Sequence, residues 1–375
     1  MNYWLQNYFL TSAVAIIIAG LIIPKILLIA FRKKLFDTVD ERKVHRGIVP
    51  RLGGIAFLPA IGIAFCGLVG LNLSLGSLSM AEALAGCIVP MLFLLCSMLL
   101  IYLVGIADDL IGVRYRAKFI FQIIAGILIV WSGLKIDDFH GFLWIYQIPD
   151  WLGWVVTIFL VIYVLNAINL IDGIDGLASG LSGVALAWYS YVFYETGQYA
   201  YMLIAGATIG TLIPFFYYNV FGNAANRTKI FMGDTGSLTI GLVLVFLSAA
   251  VFTIPSESII GNKNVFVLAI APIILPCFDV VRVFIHRVRM GHNPFLPDKC
   301  HIHHKLLALG FRQSKALITI LLSDALIIVL NLWLSSCVQP TWIIVADVAL
   351  WTLLNIMLTK MIRAREKKLG ETLYE

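Results

Sequence analysis

Residues 88–109 read Ile88-Val89-Pro90-Met91-Leu92-Phe93-Leu94-Leu95-Cys96-Ser97-Met98-Leu99-Leu100-Ile101-Tyr102-Leu103-Val104-Gly105-Ile106-Ala107-Asp108-Asp109. Twenty residues without a formal charge run directly into two aspartates. In a helix, twenty residues cover ~30 Å, the thickness of a bilayer's hydrocarbon core. The stretch therefore reads as a membrane-crossing helix that delivers a pair of acids to one surface. It belongs to the apolar run 84–107, and ten similar runs surround it: 5–31, 52–71, 118–134, 153–170, 177–194, 199–221, 237–254, 265–285, 316–336 and 341–362.

The whole chain has the same bias. Of its 375 residues 61% are apolar and 13% charged, with a mean hydropathy of +0.94. A soluble domain is ~45–50% apolar and ~25% charged, so a soluble core, a disordered chain and a disulfide scaffold are all excluded. The apolar residues come in long runs rather than in alternation, which favours helices over a β-barrel. The expected fold is all-α: a single membrane-embedded domain over 1–375 with about eleven transmembrane helices. The six cysteines, mostly within apolar runs, read as small buried hydrophobes. Met1-Asn2-Tyr3-Trp4 carries no positive charge and Arg32-Lys33-Lys34 follows the first run, so no cleaved signal is expected.

Lysine and arginine set the orientation. Segments 32–51, 114–118, 227–229, 282–315 and 360–368 hold 24 of the 27 basic residues. The positive-inside rule makes that side cytoplasmic, with the N-terminus outside and the C-terminus inside. The net charge of +6 belongs to this surface, so the expected partners are the bilayer's anionic head groups and anionic cytosolic substrates; nucleic acid is not implied.

Acidic residues are few, and three groups converge on the cytoplasmic side. Asp108-Asp109 end the run quoted above. Asp172 and Asp175 lie in Asn166-Ala167-Ile168-Asn169-Leu170-Ile171-Asp172-Gly173-Ile174-Asp175-Gly176, and Asp234 in Phe231-Met232-Gly233-Asp234-Thr235-Gly236-Ser237. A lone acid at a helix N-terminus needs no explanation beyond capping. Paired acids at a helix C-terminus oppose the dipole and need a cation. Few carboxylates plus phosphate oxygens suit Mg²⁺, with Mn²⁺ as the alternative. Gly233 and Gly236 around Asp234, and Gly173 and Gly176 around Asp175, permit close approach of a ligand. The turn at 233–237 leads into a helix whose free N–H groups suit a phosphate.

The last large cytoplasmic loop, 286–305, carries Arg287, Arg289, Lys299, Lys305 and five of the chain's seven histidines, among them His301, His303 and His304. Zinc is the alternative reading, but the spacing is too compressed for a closed structural site and no Cys-x-x-Cys accompanies it. The bland reading is a solvated basic loop. The favoured one is a set of donors for an anionic sugar nucleotide. In the first loop, Lys43 and Arg46 serve either topology or phosphate binding.

Taken in order from about residue 37 to 310, the Asp108-Asp109 pair, Asn-Ala-Ile-Asn-Leu-Ile-Asp-Gly-Ile-Asp-Gly, Phe-Met-Gly-Asp-Thr-Gly-Ser and Pro-Phe-Leu-Pro-Asp-Lys-Cys-His-Ile-His-His resemble the polyprenyl-phosphate N-acetylhexosamine-1-phosphate transferases. Ile302 between His301 and His303, and the count of eleven spans, look like the WecA/TagO branch rather than the MraY branch, which takes UDP-MurNAc-pentapeptide. Lys299 stands where arginine is common. The resemblance implies transfer of an N-acetylhexosamine-1-phosphate, GlcNAc foremost, from a UDP-sugar to undecaprenyl phosphate at the inner membrane, releasing UMP. It implies Asp234 and Asn169 as Mg²⁺ ligands, Asp108 and Asp109 beside the lipid phosphate, and Asp172 and Asp175 positioning the nucleotide. His301, His303, His304, Arg287, Arg289, Arg46, Lys43, Gly233 and Ser237 would bind substrate. Direct attack is favoured over a covalent aspartyl intermediate, since a phosphate monoester with a second pKa of ~6 is already ionised at neutral pH. A homodimer is held open. The competing class is a secondary transporter, which Asp279, Asp324 and Asp347 within spans keep in view.

Overall fold

A computed structural model describes residues 2–35, 49–259, 261, 263–291 and 300–374. Among these the only β pairing is an isolated bridge between Asp138 and Gln147. Apart from short 3-10 and π turns, the regular structure is fourteen α-helices: α1 Tyr3–Lys33, α2 Phe57–Ser74, α3 Leu78–Ala85, α4 Ile88–Ile111, α5 Tyr115–Trp131, α6 Asp150–Ile171, α7 Leu177–Glu195, α8 Tyr199–Phe216, α9 Gly233–Phe252, α10 Val265–Ile270, α11 Ile274–Arg289, α12 Ile302–Ala308, α13 Gln313–Leu334 and α14 Pro340–Leu369.

The bundle is built around α9. Every residue from Thr235 to Phe252 is buried, as expected of a helix that is apolar or small on all sides. It packs against α4 and α6 most extensively, with α2, α7, α8 and α10 completing the shell. The outer helices present leucine and isoleucine to the surroundings instead: Ile17 and Leu21 on α1, Leu322 and Leu326 on α13, and Leu353 on α14 are exposed. In water such a surface would be untenable, whereas against lipid it costs nothing. Hydroxyls inside the bundle are satisfied locally. Thr11, Thr208, Thr211 and Thr239 each donate to the carbonyl four residues back.

Nine helical stretches among the described residues are long and apolar enough to cross a membrane. The remaining two runs of the sequence reading form α5, of 17 residues, and α7, of 19. Several boundaries differ from those the sequence suggests. Asp108 and Asp109 lie within the last turn of α4, which reaches Ile111, so the connection to α5 is only residues 112–114. The 265–285 run is divided by a 3-10 turn at Ala271–Ile273, where Pro272 cannot continue α10. The helix that follows, α11, continues to Arg289, so Arg287 and Arg289 are helical rather than in a loop.

The two ends of the bundle differ chemically. Trp131, Trp144, Trp151, Trp333 and Trp342 are exposed at one end, near the end of α5, the start of α6, the end of α13 and the start of α14. Exposed tryptophans at one level mark a membrane–water boundary. Asp108, Asp109, Asp172, Asp175 and Asp234 collect at the other end with most of the basic residues.

Candidate active site

Glycine lets three helices meet there. The segment before α2 lies along the segment before α9: Phe231 N–H donates to Pro50 O at 2.9 Å, Gly53 N–H to Phe231 O at 2.9 Å and Gly54 N–H to Met232 O at 2.9 Å. A Cβ on Gly54 would lie 2.0 Å from Gly236 N, and one on Gly105 of α4 would lie 2.4 Å from Thr235 Cα. Gly233 has φ +71° and its missing Cβ leaves room for Arg51 O and the Asp109 carboxylate. Backbone contact thus brings Arg51, the end of α4 and the start of α9 into one cluster.

The two aspartates of α4 have different jobs. Asp109 is tied to the start of α9. Its oxygens accept from Asp234 N–H at 2.8 Å, Thr235 N–H at 2.9 Å and Thr235 Oγ1–H at 2.6 Å. That is capping across helices, which satisfies the free N–H groups of α9. Asp108 instead faces a cation. The Lys118 ammonium, in the first turn of α5, is 2.6 Å from Asp108 Oδ2 and 2.5 Å from Asp234 Oδ2, and Val113 N–H donates to Asp108 Oδ1 at 2.7 Å. Asn169, near the end of α6, donates to Ser237 Oγ at 2.8 Å and also hydrogen-bonds Asp234. Ser237 in turn donates to Gly233 O at 3.1 Å.

The loop between α6 and α7 closes the cradle. Loss of hydration and the negative charges of Asp234 and Asp175, with Asp109, push the Asp172 carboxyl up to about 7, against the opposing charge of Arg51. Asp175 pairs with Lys229 at 2.7 Å. The loop is held by Asn219, which accepts from Gly176 N–H at 2.6 Å and donates to Ile230 O at 2.8 Å.

The histidines reach this loop from the other side. His301 immediately precedes α12, while His303 and His304 lie within it. The His303 ring is buried directly over Gly173, where a Cβ would lie 2.1 Å from Nε2. Among the described residues, neither His303 ring nitrogen has a hydrogen-bond partner. Burial, then the nearby His304 and His301, hold its pKa well below the ordinary imidazole range. His301 and His303 stack with centroids 5.8 Å apart, and His303 and His304 are 4.2 Å apart.

The arginines separate. Arg287 is buried on the α11 stripe that also carries Asp279 and Val283. Arg289 is exposed and turns to a groove between α6, α11 and α14, beside His286, Lys360 and Arg363. The two side chains therefore meet different surroundings. Lys43 and Arg46 lie outside the described residues, as do 292–299. Sequence reasoning did not single out Lys118, Thr235, Lys229 or Asn219. Lys118 was findable, because a lysine opening an apolar run is costly unless it meets an acid.

The donor set suits a hard divalent ion. The Asp234 and Asp108 carboxylates are adjacent, with the Asn169 amide hydrogen-bonded to Asp234, and the Lys118 ammonium between two carboxylates shows that this position demands positive charge. Among the described residues no three His, Cys, Asp or Glu side chains form a ready-made metal cage. Phosphate oxygens or water would have to complete a shell.

Residues 91–252 match glycosyl transferase family 4, and the chain belongs to that family. The matched stretch contains both acids of α4, Lys118, Asn169, Asp172, Asp175 and Asp234. Among curated relatives, the chain is 31% identical over 317 residues to the probable undecaprenyl-phosphate N-acetylglucosaminyl 1-phosphate transferase of Bacillus subtilis (strain 168), covering 84% of this chain and 80% of that one. It is 30% identical over 305 residues to the undecaprenyl-phosphate alpha-N-acetylglucosaminyl 1-phosphate transferase of Yersinia pestis, and 28% over 302 to that of Escherichia coli (strain K12), each covering 80% of this chain and 76% of the relative.

Proposed function

We propose that this enzyme transfers N-acetylglucosamine-1-phosphate from UDP-GlcNAc to undecaprenyl phosphate, releasing UMP, at the cytoplasmic face of the inner membrane. The observation that carries this reading is the convergence of Asp108, Lys118, Asn169 and Asp234 from four helices at the basic end of an apolar bundle. In this reading the bundle is a single domain with eleven spans, N-terminus outside and C-terminus inside. Counting α5 and α7 as spans supports the number, and the position of 24 of 27 basic residues supports the orientation. A homodimer is compatible with the reading and adds nothing to the chemistry.

The reaction joins two anions. A lipid phosphate oxygen attacks the β-phosphorus of the sugar nucleotide, the bond to the bridging oxygen breaks, and UMP leaves with that oxygen. Such a transfer depends on in-line positioning and on neutralising charge. Lys118 and Arg51 supply fixed positive charge at the cradle. Asp234 and Asn169, with Asp108, would hold Mg²⁺, which when bound neutralises diphosphate oxygens. Asp109 is unsuited to nucleophilic attack, because both its oxygens are occupied by α9. That supports direct attack by the lipid phosphate. His303 over Gly173 brings the histidine segment against the nucleotide-positioning loop. This supports reading of the sugar nucleotide by the histidine segment.

A transporter would place its site near mid-membrane. Here Asp279 pairs with Arg282 at 2.9 Å and Asp347 accepts from Asn331 at 2.7 Å, while Asp324 alone has no hydrogen-bond partner among the described residues. The test is UMP release by purified protein from UDP-GlcNAc, in competition with UDP-GalNAc and UDP-MurNAc-pentapeptide. Release that requires both undecaprenyl phosphate and Mg²⁺ is expected. Release independent of lipid phosphate overturns the reading, and preference for the pentapeptide overturns its sugar assignment.

A further inference from the structure

Asp279 lies inside the bundle on α11, with no exposed surface. An acid in such a position is expensive unless its charge is matched and its oxygens are satisfied. Both conditions are met, and all of the partners lead to the histidine segment. Oδ1 accepts from Arg282 Nη2 at 2.9 Å and from Ile302 N–H at 3.1 Å. Oδ2 is 2.8 Å from His301 Nδ1. The same Arg282 guanidinium donates to Cys300 O, which also accepts from Tyr374 Oη at 2.8 Å. One carboxylate therefore caps α12 through Ile302, neutralises Arg282 and grips His301. Packing alone would not require the third contact.

That contact fixes a proton. A carboxylate only accepts, so His301 Nδ1 carries hydrogen, and in the neutral ring the other nitrogen, Nε2, is the acceptor. His301 stacks on His303, which lies over Gly173 of the acidic loop, so the ring borders the cradle. We propose that Asp279 is a positioning residue: it holds His301 in the Nδ1–H form, so that Nε2 accepts a hydrogen bond from a hydroxyl of the sugar being transferred. The proposal rests on the transferase reading and assigns part of its sugar recognition to a pair that spans α11 and α12.

The geometry specifies the test. In Asp279→Asn the amide oxygen is claimed by Arg282 and Ile302 N–H, which leaves the amide N–H₂ facing His301. Nδ1 must then accept, the ring proton moves to Nε2, and the polarity presented to substrate is reversed, as when the carboxylate of a catalytic triad becomes an amide. We expect KM for UDP-GlcNAc to rise roughly 10–100-fold, the range found when a histidine's orienting partner is removed. KM for undecaprenyl phosphate and the affinity for UDP, which lacks the sugar, should not move. His301→Gln, which leaves Asp279 its other two partners, should give the same split, and the double variant should be no worse than either single one. Asp279→Glu keeps a carboxylate and should recover part of the loss.

A rise in both KM values, weakened UDP binding, or additive effects would show a merely structural role and overturn the proposal. If Asp279→Asn does not fold, His301→Gln decides: an unchanged KM for UDP-GlcNAc overturns it. Wild-type protein that releases no UMP from UDP-GlcNAc would instead refute the transferase reading itself.

Discussion

The cradle at α4, α5 and α9 and the histidine segment at α11 and α12 border the same site but are assembled by opposite means. In the cradle, backbones touch: Gly54, Gly105 and Gly233 stand where a single carbon would strike main-chain atoms of another segment. In the histidine segment, side chains carry the fit, through Asp279, Arg282 and His301. Main-chain contact tolerates no adjustment, because neither partner can rotate away. Side-chain contact can be retuned one residue at a time. Chemistry common to a family suits the first construction, and recognition that differs between substrates suits the second.

The largest expected effect tests the rigid half. Gly54→Ala places a methyl 2.0 Å from Gly236 N, so helices must separate. Overpacking of this kind costs ~1–3 kcal/mol or more, and a shift of about 1 Å at a reacting centre can cost ~10²-fold in rate. UMP release should fall at least that far. Gly62→Ala, where nothing lies within 4 Å, should leave it unchanged. Equal activity of the two variants would break the distinction between the regions.

Next comes the chemistry of the cradle. Asp234→Asn should lose most activity at every pH, because a ligand for the cation is gone. Asp108→Asn should recover in part as pH rises, since the lipid phosphate, with a second pKa of ~6, then ionises unaided. Parallel pH profiles would mean that the two carboxylates share one role.

A smaller effect belongs to the adjustable half. A methyl at Gly173 meets the His303 ring, which can rotate. Gly173→Ala should therefore raise KM for the sugar nucleotide several-fold, while kcat and the Mg²⁺ requirement stay near wild type. A loss as severe as that of Gly54→Ala would show the histidine segment to be as rigid as the cradle.

The smallest effect is one of stability. The Asp172 carboxyl is raised to about 7 in the folded chain, against ~3.9 when unfolded. A raised folded pKa favours folding while the group stays protonated. That contribution to stability is fully present below the unfolded value and is lost progressively as pH rises from ~3.9 through 7. Asp172→Asn should consequently raise Tm by a few degrees at pH 8 and by clearly less at pH 5, part-way through that window. A Tm gain that is the same at both would mean the carboxyl does not feel Asp234 and Asp175.

Most of the cradle was legible in the chain because its parts are scarce against an apolar background. Asp108, Asp172, Asp175 and Asp234 stand out where nearly everything is leucine, isoleucine or valine, and glycines mark the close approaches. The individual roles were not legible. Asp108 and Asp109 are neighbours, yet successive residues on a helix point about 100° apart, so one meets Lys118 and the other caps α9. The same rotation separates Arg287, buried beside the Asp279 stripe, from Arg289 on the α14 groove.

The sequence by itself determined that the protein is a helical membrane bundle, which end carries its charge, and which family motifs it holds. Each of these follows from composition or from residues close in the chain, and burial in lipid leaves a helix as nearly the only way to satisfy a backbone. Only the tertiary structure decided which groups touch. Lys118 and Asp234 are 116 positions apart and Asp279 and His301 are 22 apart. No local periodicity encodes such pairs, because they form when whole helices pack and the angular position of each residue on its helix selects its partner.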